Sequence, residues 1–146
     1  MIVEFVSDPN QTEPKLTITA AELTEELNDL LLRLEHGHPT AITAIHGDRA
    51  VLLAPKDILR FFADGKTVSV QTAEGVFSVR QRLYELEELL ARHKFARISH
   101  SELVNLSHVT ALDLSLSGTI RMTLTGGVTC FVSRRCLKKI KQALDL

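Results

Sequence analysis

The 146-residue sequence predicts a mostly-β, antiparallel fold with a few short helices. Three observations predict it. Turn signals recur between short apolar or alternating runs, at Gly47-Asp48, Asp64-Gly65, Glu74-Gly75 and Gly126-Gly127. Apolar residues recur at helical spacing in only three stretches. Strands and helices do not alternate in the βαβ order that a parallel α/β sheet requires.

Taken in order, residues 2–6 (Ile-Val-Glu-Phe-Val) predict a short strand, and the polar stretch 8–14 with Pro9 and Pro14 predicts a loop. Thr19-Ala20-Ala21-Glu22 has the spacing of a capping box. Leu23, Leu27, Leu30, Leu31 and Leu34 follow on one face, giving a helix over 20–36 that Gly37 ends. Its leucine stripe either packs on a core or forms a dimer seam. Beyond it the period changes to two. Strands are expected at 40–46, 49–54, 57–63, 67–72 and 76–79, then a helix at 81–93 marked by Leu83, Leu86, Leu89 and Leu90. Further strands fall near 96–98, 109–116, 119–125 and 128–132. A last helix from about 134 buries Leu137, Ile140 and Leu144. Residues 1–40 thus read as a strand–helix extension and 41–146 as the main domain.

Composition excludes several classes. No run of about 18 apolar residues exists, so no membrane-spanning helix is expected. The start MIVEFVSD lacks the pattern of a secretory signal, and Cys130 and Cys136 fit a reducing compartment, so a cytoplasmic protein is expected. His36-Gly37-His38 lacks further ligands at useful spacing, leaving helix-end histidines as the alternative to a metal site. Neither a nucleophile elbow nor a Cys-His context appears, so neither enzyme activity nor a cofactor is expected. Cys130 lies in an alternating strand and reads as a small packed residue. Cys136, beside Arg135, is a candidate reactive thiol.

Charge is unevenly divided. Residues 1–65 carry 11 acidic and 5 basic side chains, whereas 66–146 carry 7 and 12. The C-terminal part therefore suits a polyanion. Arg134, Arg135, Lys138, Lys139 and Lys141 form its densest cluster, with no acid between them. Alone, that cluster is equally a solvated helix end.

The surrounding residues are more specific. They comprise the strand Asp57-Ile58-Leu59-Arg60-Phe61-Phe62, the Gly75 turn and the LYELEELL helix. They continue with Phe95, Arg97-Ile98-Ser99-His100-Ser101, Val104-Asn105 and the terminal VSRRCLKKI. Together, over residues 41–146, they resemble a LytTR-type DNA-binding domain, the output module of many bacterial response regulators. The resemblance implies an elongated ten-strand, three-sheet antiparallel fold that places loops into successive major grooves of double-stranded DNA. It implies base contacts from Lys66, His100 and Arg135, where His100 departs from the more usual Arg or Asn. Arg97, Ser101, Arg134, Lys138 and Lys139 are then candidates for the DNA backbone. Asn105 is expected to bond its own turn.

About 40 residues are too few for a phosphorylatable receiver, so the extension is expected to cover a sheet edge, self-associate or dock a partner. The resemblance further suggests a homodimer on paired direct repeats and an inhibitory membrane protein encoded nearby. The alternative is a protein–protein interaction module on the same scaffold without strong DNA binding.

Overall fold

The computed structural model describes residues 1–36, 40–114 and 120–146. The chain divides into two units, Met1–Pro39 and Thr40–Leu146.

In the first unit, helix α1 spans Glu25–His36. The Thr24 hydroxyl caps it by accepting the Leu27 N–H at 3.2 Å, and Glu25 and Glu26 place negative charge in its first turn. The helix therefore begins later than expected, because the working cap is Thr24 and not Thr19. Leu27, Leu30 and Leu31 are half-buried, whereas Leu23, Leu32 and Leu34 are exposed. Residues 2–6 do not form the expected strand: they run as irregular chain with Ile2, Val3, Phe5 and Val6 exposed. Their β-branched and aromatic composition suits a strand, but a strand is made by pairing and packing, and none is given to them here. Gly37 and His38 lie outside the described residues.

The second unit is antiparallel β throughout. Its strands are β1 (Ile42–His46), β2 (Arg49–Leu53), β3 (Ile58–Asp64), β4 (Thr67–Thr72), β5 (Gly75–Val79), β6 (Phe95–Ser99) and β7 (Glu102–Asn105). These join in the order β2-β1-β5-β4-β3-β7-β6. Strands β8 (Val109–Asp113), β9 (Ile120–Leu124) and β10 (Val128–Val132) form a second sheet with β9 central. Helix α2 (Leu83–Leu89) separates β5 from β6, and α3 (Arg134–Ala143) follows β10. Among the described residues the ten strands thus hydrogen bond as two sheets where the resemblance implied three. The β1–β2 hairpin joins the larger sheet through one registered pair, Ile45 with Ser78, reinforced by the Ser78 hydroxyl donating to the Ile45 carbonyl at 3.1 Å.

Two hydrophobic cores result. One gathers Ile42, Ile58, Phe61, Val70, Leu86, Leu90 and Leu103 beneath α2. The other gathers Leu59, Ile98, Val104, Met122, Leu124 and Ile140 between the sheets and α3. Successive side chains on a strand face opposite ways, so neighbours on β7, Leu103 and Val104, enter different cores. Strand β3 does the same with Ile58 and Leu59, helped by a register shift between Ile58 and Arg60. Asn105, only 2 % exposed, ends β7 by donating to the carbonyls of Pro55 (3.2 Å) and Ile58 (3.0 Å). Its Oδ1 accepts the Ser107 N–H at 3.0 Å, the turn-bonding role the sequence suggests.

Candidate nucleic-acid interface

Three loops come together through the backbone. The Ala63 N–H donates to the Ser101 carbonyl at 2.8 Å, tying the end of β3 to the β6–β7 turn. The Ser133 N–H donates to the Ile98 carbonyl at 2.7 Å, tying the entry of α3 to the end of β6. Lys66 follows the first tie by three residues, His100 lies between the acceptors, and Arg135 follows the second donor by two. The three expected base-contacting residues therefore sit on adjoining, stapled loops, and all three side chains are exposed.

The β3–β4 turn presents Lys66 because Gly65 takes φ 64°, a conformation that favours glycine. The Thr67 hydroxyl closes the same turn on the Asp64 carbonyl at 2.9 Å. In the β6–β7 turn the Ser99 hydroxyl accepts the Ser101 N–H at 3.2 Å. Arg97 stands behind this turn: its Nη1 donates to the His100 carbonyl at 2.7 Å and its Nε to Glu87 at 2.9 Å. That side chain was expected on the DNA backbone; two of its donors are engaged within the protein.

Around α3, Arg134, Arg135, Lys138 and Lys139 are exposed, and Lys141 is partly covered. Among the described residues none of their side chains has a hydrogen-bond or ion-pair partner. The first turn of α3 holds no acid and two arginines, an arrangement the helix dipole opposes by about 0.3–1 kcal/mol per charge. Cation placement there does not serve the helix.

Beside the stapled loops opens a cleft of about 730 Å³ that Lys66, Arg97 and His100 share with Arg80, Arg82 and Tyr84. Sequence reasoning passed over Arg80 and Arg82, which flank a single glutamine between a strand and a helix and form no run. Only the folded chain places them with Lys66.

Cys130 is buried at 2 % exposure, its thiol donating to the Met122 carbonyl at 3.6 Å. Burial, aided by the Glu102 carboxylate and opposed by Arg60, pushes the thiol up to about 11. It is packing material, as expected. Among the described residues no group of His, Cys, Asp and Glu could hold a metal ion, and no helix is long and apolar enough to cross a membrane.

An antiparallel β scaffold with unpaired cations on adjoining loops defines a polyanion-facing class of surface. The LytTr DNA-binding domain profile matches residues 48–145, and the chain belongs to that family, a family of DNA-binding domains and not of enzymes. The chain is 31% identical over its full length to an uncharacterized HTH-type transcriptional regulator of Staphylococcus aureus strain NCTC 8325, covering 99% of it. A counterpart in strain MSSA476 is equally similar, at 31% over the same span. A solved structure, described as the LytTr DNA-binding domain of a methyl-accepting/DNA response regulator from Bacillus cereus, superposes with a TM-score of 0.69. It is 21% identical, and the match covers 75% of this chain and all of that one, which establishes the shared fold.

Proposed function

We propose that the chain is a sequence-specific transcription regulator that binds double-stranded DNA by inserting loops into successive major grooves. The observation that carries this reading is the pair of main-chain bonds, Ala63 to Ser101 and Ser133 to Ile98, that aligns the loops of Lys66, His100 and Arg135. Arg135 can grip guanine O6 and N7 with two donors, Lys66 can donate to the same acceptors, and His100 can donate to a base acceptor. Ser101, Arg134, Lys138 and Lys139 hold phosphates, and Arg97 props the His100 loop. The unfavourable arginines at the start of α3 support the same reading, because a phosphate there offsets their cost.

The relatives' designation as HTH-type does not extend to this geometry. In Thr40–Leu146, α2 and α3 are separated by β6 to β10, and no two described helices are joined by a turn of about three or four residues. Reading therefore falls to loops. Two copies pair on direct repeats in this reading. The acidic Met1–Pro39 unit, with exposed Ile2, Val3, Phe5 and Leu16, serves self-association or docking of an inhibitory membrane protein.

Fluorescence-anisotropy titration of a duplex enriched from a random pool tests the reading. Neutralising about six to ten phosphates should weaken binding by roughly three to five decades between 50 and 200 mM salt. Flat salt dependence, or no duplex binding at low salt, would favour the interaction-module alternative.

A further inference from the structure

The cleft beside the stapled loops has a composition that its structural role does not explain. Lys66, Arg80, Arg82, Arg97 and His100 all line it, and no aspartate or glutamate does. Glu85 stands nearby, but its Oε1 accepts the Arg82 main-chain N–H at 3.2 Å, leaving the guanidinium free of that bond. Among the described residues neither Arg80 nor Arg82 has a side-chain hydrogen bond or ion pair, and both are exposed. Arg97 is paired with Glu87, but Lys66, Arg80 and Arg82 share the concavity without counter-charges among the described residues, and such like charges repel one another. A concave, low-dielectric wall also focuses their field on whatever anion enters.

We propose that this cleft seats a backbone phosphate of the bound duplex, held by Arg80 and Arg82, and so adds a point of attachment beyond the three stapled loops. The proposal rests on the DNA-binding reading. Duplex DNA is the occupant because the mouth of the cleft is shared with Lys66 and His100, the residues that face base edges in that reading. A strand whose bases face those two side chains carries its phosphates along the flank where Arg80 and Arg82 stand. Arginine suits the task, since its planar fork matches two phosphate oxygens at once. Gln81, between the two arginines, leaves its buried Oε1 without a hydrogen-bond partner among the described residues.

The test uses the full chain and the enriched duplex, with Arg80→Ala, Arg82→Ala and the double substitution. Both side chains are exposed, so the variants should fold, which thermal melting checks. For each phosphate no longer neutralised, the slope of log affinity against log salt should fall by about 0.9. Between 50 and 200 mM that is roughly a three- to fourfold smaller drop in affinity per phosphate. Base preference across single-base duplex variants should not change. One neutral methylphosphonate at the phosphate seated in the cleft should narrow the affinity difference between the unsubstituted chain and the double variant. The same replacement elsewhere in the duplex should leave that difference intact.

If the double variant keeps the original affinity and slope while Lys138→Ala weakens binding, the cleft assignment is overturned and the DNA reading stands. If the unsubstituted chain fails to bind duplex at all, the DNA reading fails and the assignment with it. Changed base preference in the double variant would make these arginines base readers and overturn the phosphate role. Finally, pyrophosphate serves as a small-anion probe in thermal-shift titration. Stabilisation by pyrophosphate that the double variant loses, with duplex affinity untouched, would show a small-anion site and overturn the proposal.

Discussion

Replacing Asn105 by alanine removes three hydrogen bonds from a side chain that is 2 % exposed, and the three are not equivalent. The Ser107 N–H lies on an exposed residue and can turn to water. The Pro55 carbonyl also accepts the Ile58 N–H, so it keeps a partner. The Ile58 carbonyl belongs to a fully buried residue and loses the Asn105 amide at 3.0 Å. A buried acceptor stripped of its donor costs about 1–3 kcal/mol, and each of the other two bonds contributes roughly 0.5–1 kcal/mol net. Asn105→Ala should therefore destabilise the Thr40–Leu146 unit by about 2–5 kcal/mol. At roughly 4 °C per kcal/mol for a unit of this size, that lowers Tm by about 8–20 °C. Urea and thermal melts followed by circular dichroism measure it. DNA affinity, measured where the variant is still folded, should be unchanged. A Tm shift below about 3 °C, or a loss of duplex affinity without a loss of stability, would refute the reasoning by making Asn105 an interface residue and not a structural one.

Arg135→Ala should lose about 1–3 kcal/mol on the preferred duplex and flatten discrimination at one base position. Lys138→Ala should weaken all duplexes alike and lower the salt slope by roughly one; uniform loss from both variants in competition assays would remove Arg135 from the base readers. Native protein at pH 8 should consume one equivalent of alkylating reagent, at Cys136, and a second only on unfolding, because the buried Cys130 thiol keeps its proton. Equal alkylation rates at the two cysteines would contradict this. The same thiol titrates from an ordinary 9.0 up to about 11 in the folded chain, so between those values the folded state holds a proton the unfolded state has released. Its contribution to stability is complete below pH 9 and declines by on the order of 2 kcal/mol as pH rises to 11. A Cys130→Ala variant should lack that component of the pH profile.

The hairpins were legible because their signals are local: Gly47 and Gly65 adopt φ 60° and 64°, and their neighbours alternate in pattern. Strand β7 was not legible. Its four residues look like the tail of a turn, and they become a strand because β3, distant in sequence, pairs with one edge while β6, joined to it by a tight turn, pairs with the other. Residues 2–6 failed the other way, with strong strand composition and no partner to realise it. Helix α1 started late because two threonines offered caps five residues apart and pattern alone does not choose between them. At the interface, the loops of Lys66, His100 and Arg135 could be named from the resemblance. What aligns them could not, since both ties join residues at least 35 positions apart. Arg97 shows the same limit: it reads as a free cation in sequence, but Glu87 on α2 holds it. Arg80 and Arg82 stayed hidden because isolated cations acquire meaning only from the concavity they share.

The two ties between the loops are main-chain N–H to carbonyl bonds, and such bonds are indifferent to the side chains carried nearby. Residues 66, 100 and 135 can therefore change identity while the mount that aims them stays still. Substitutions at these three positions therefore leave both ties in place. The histidine at 100, exposed in the turn between β6 and β7, is a side chain such a mount can exchange.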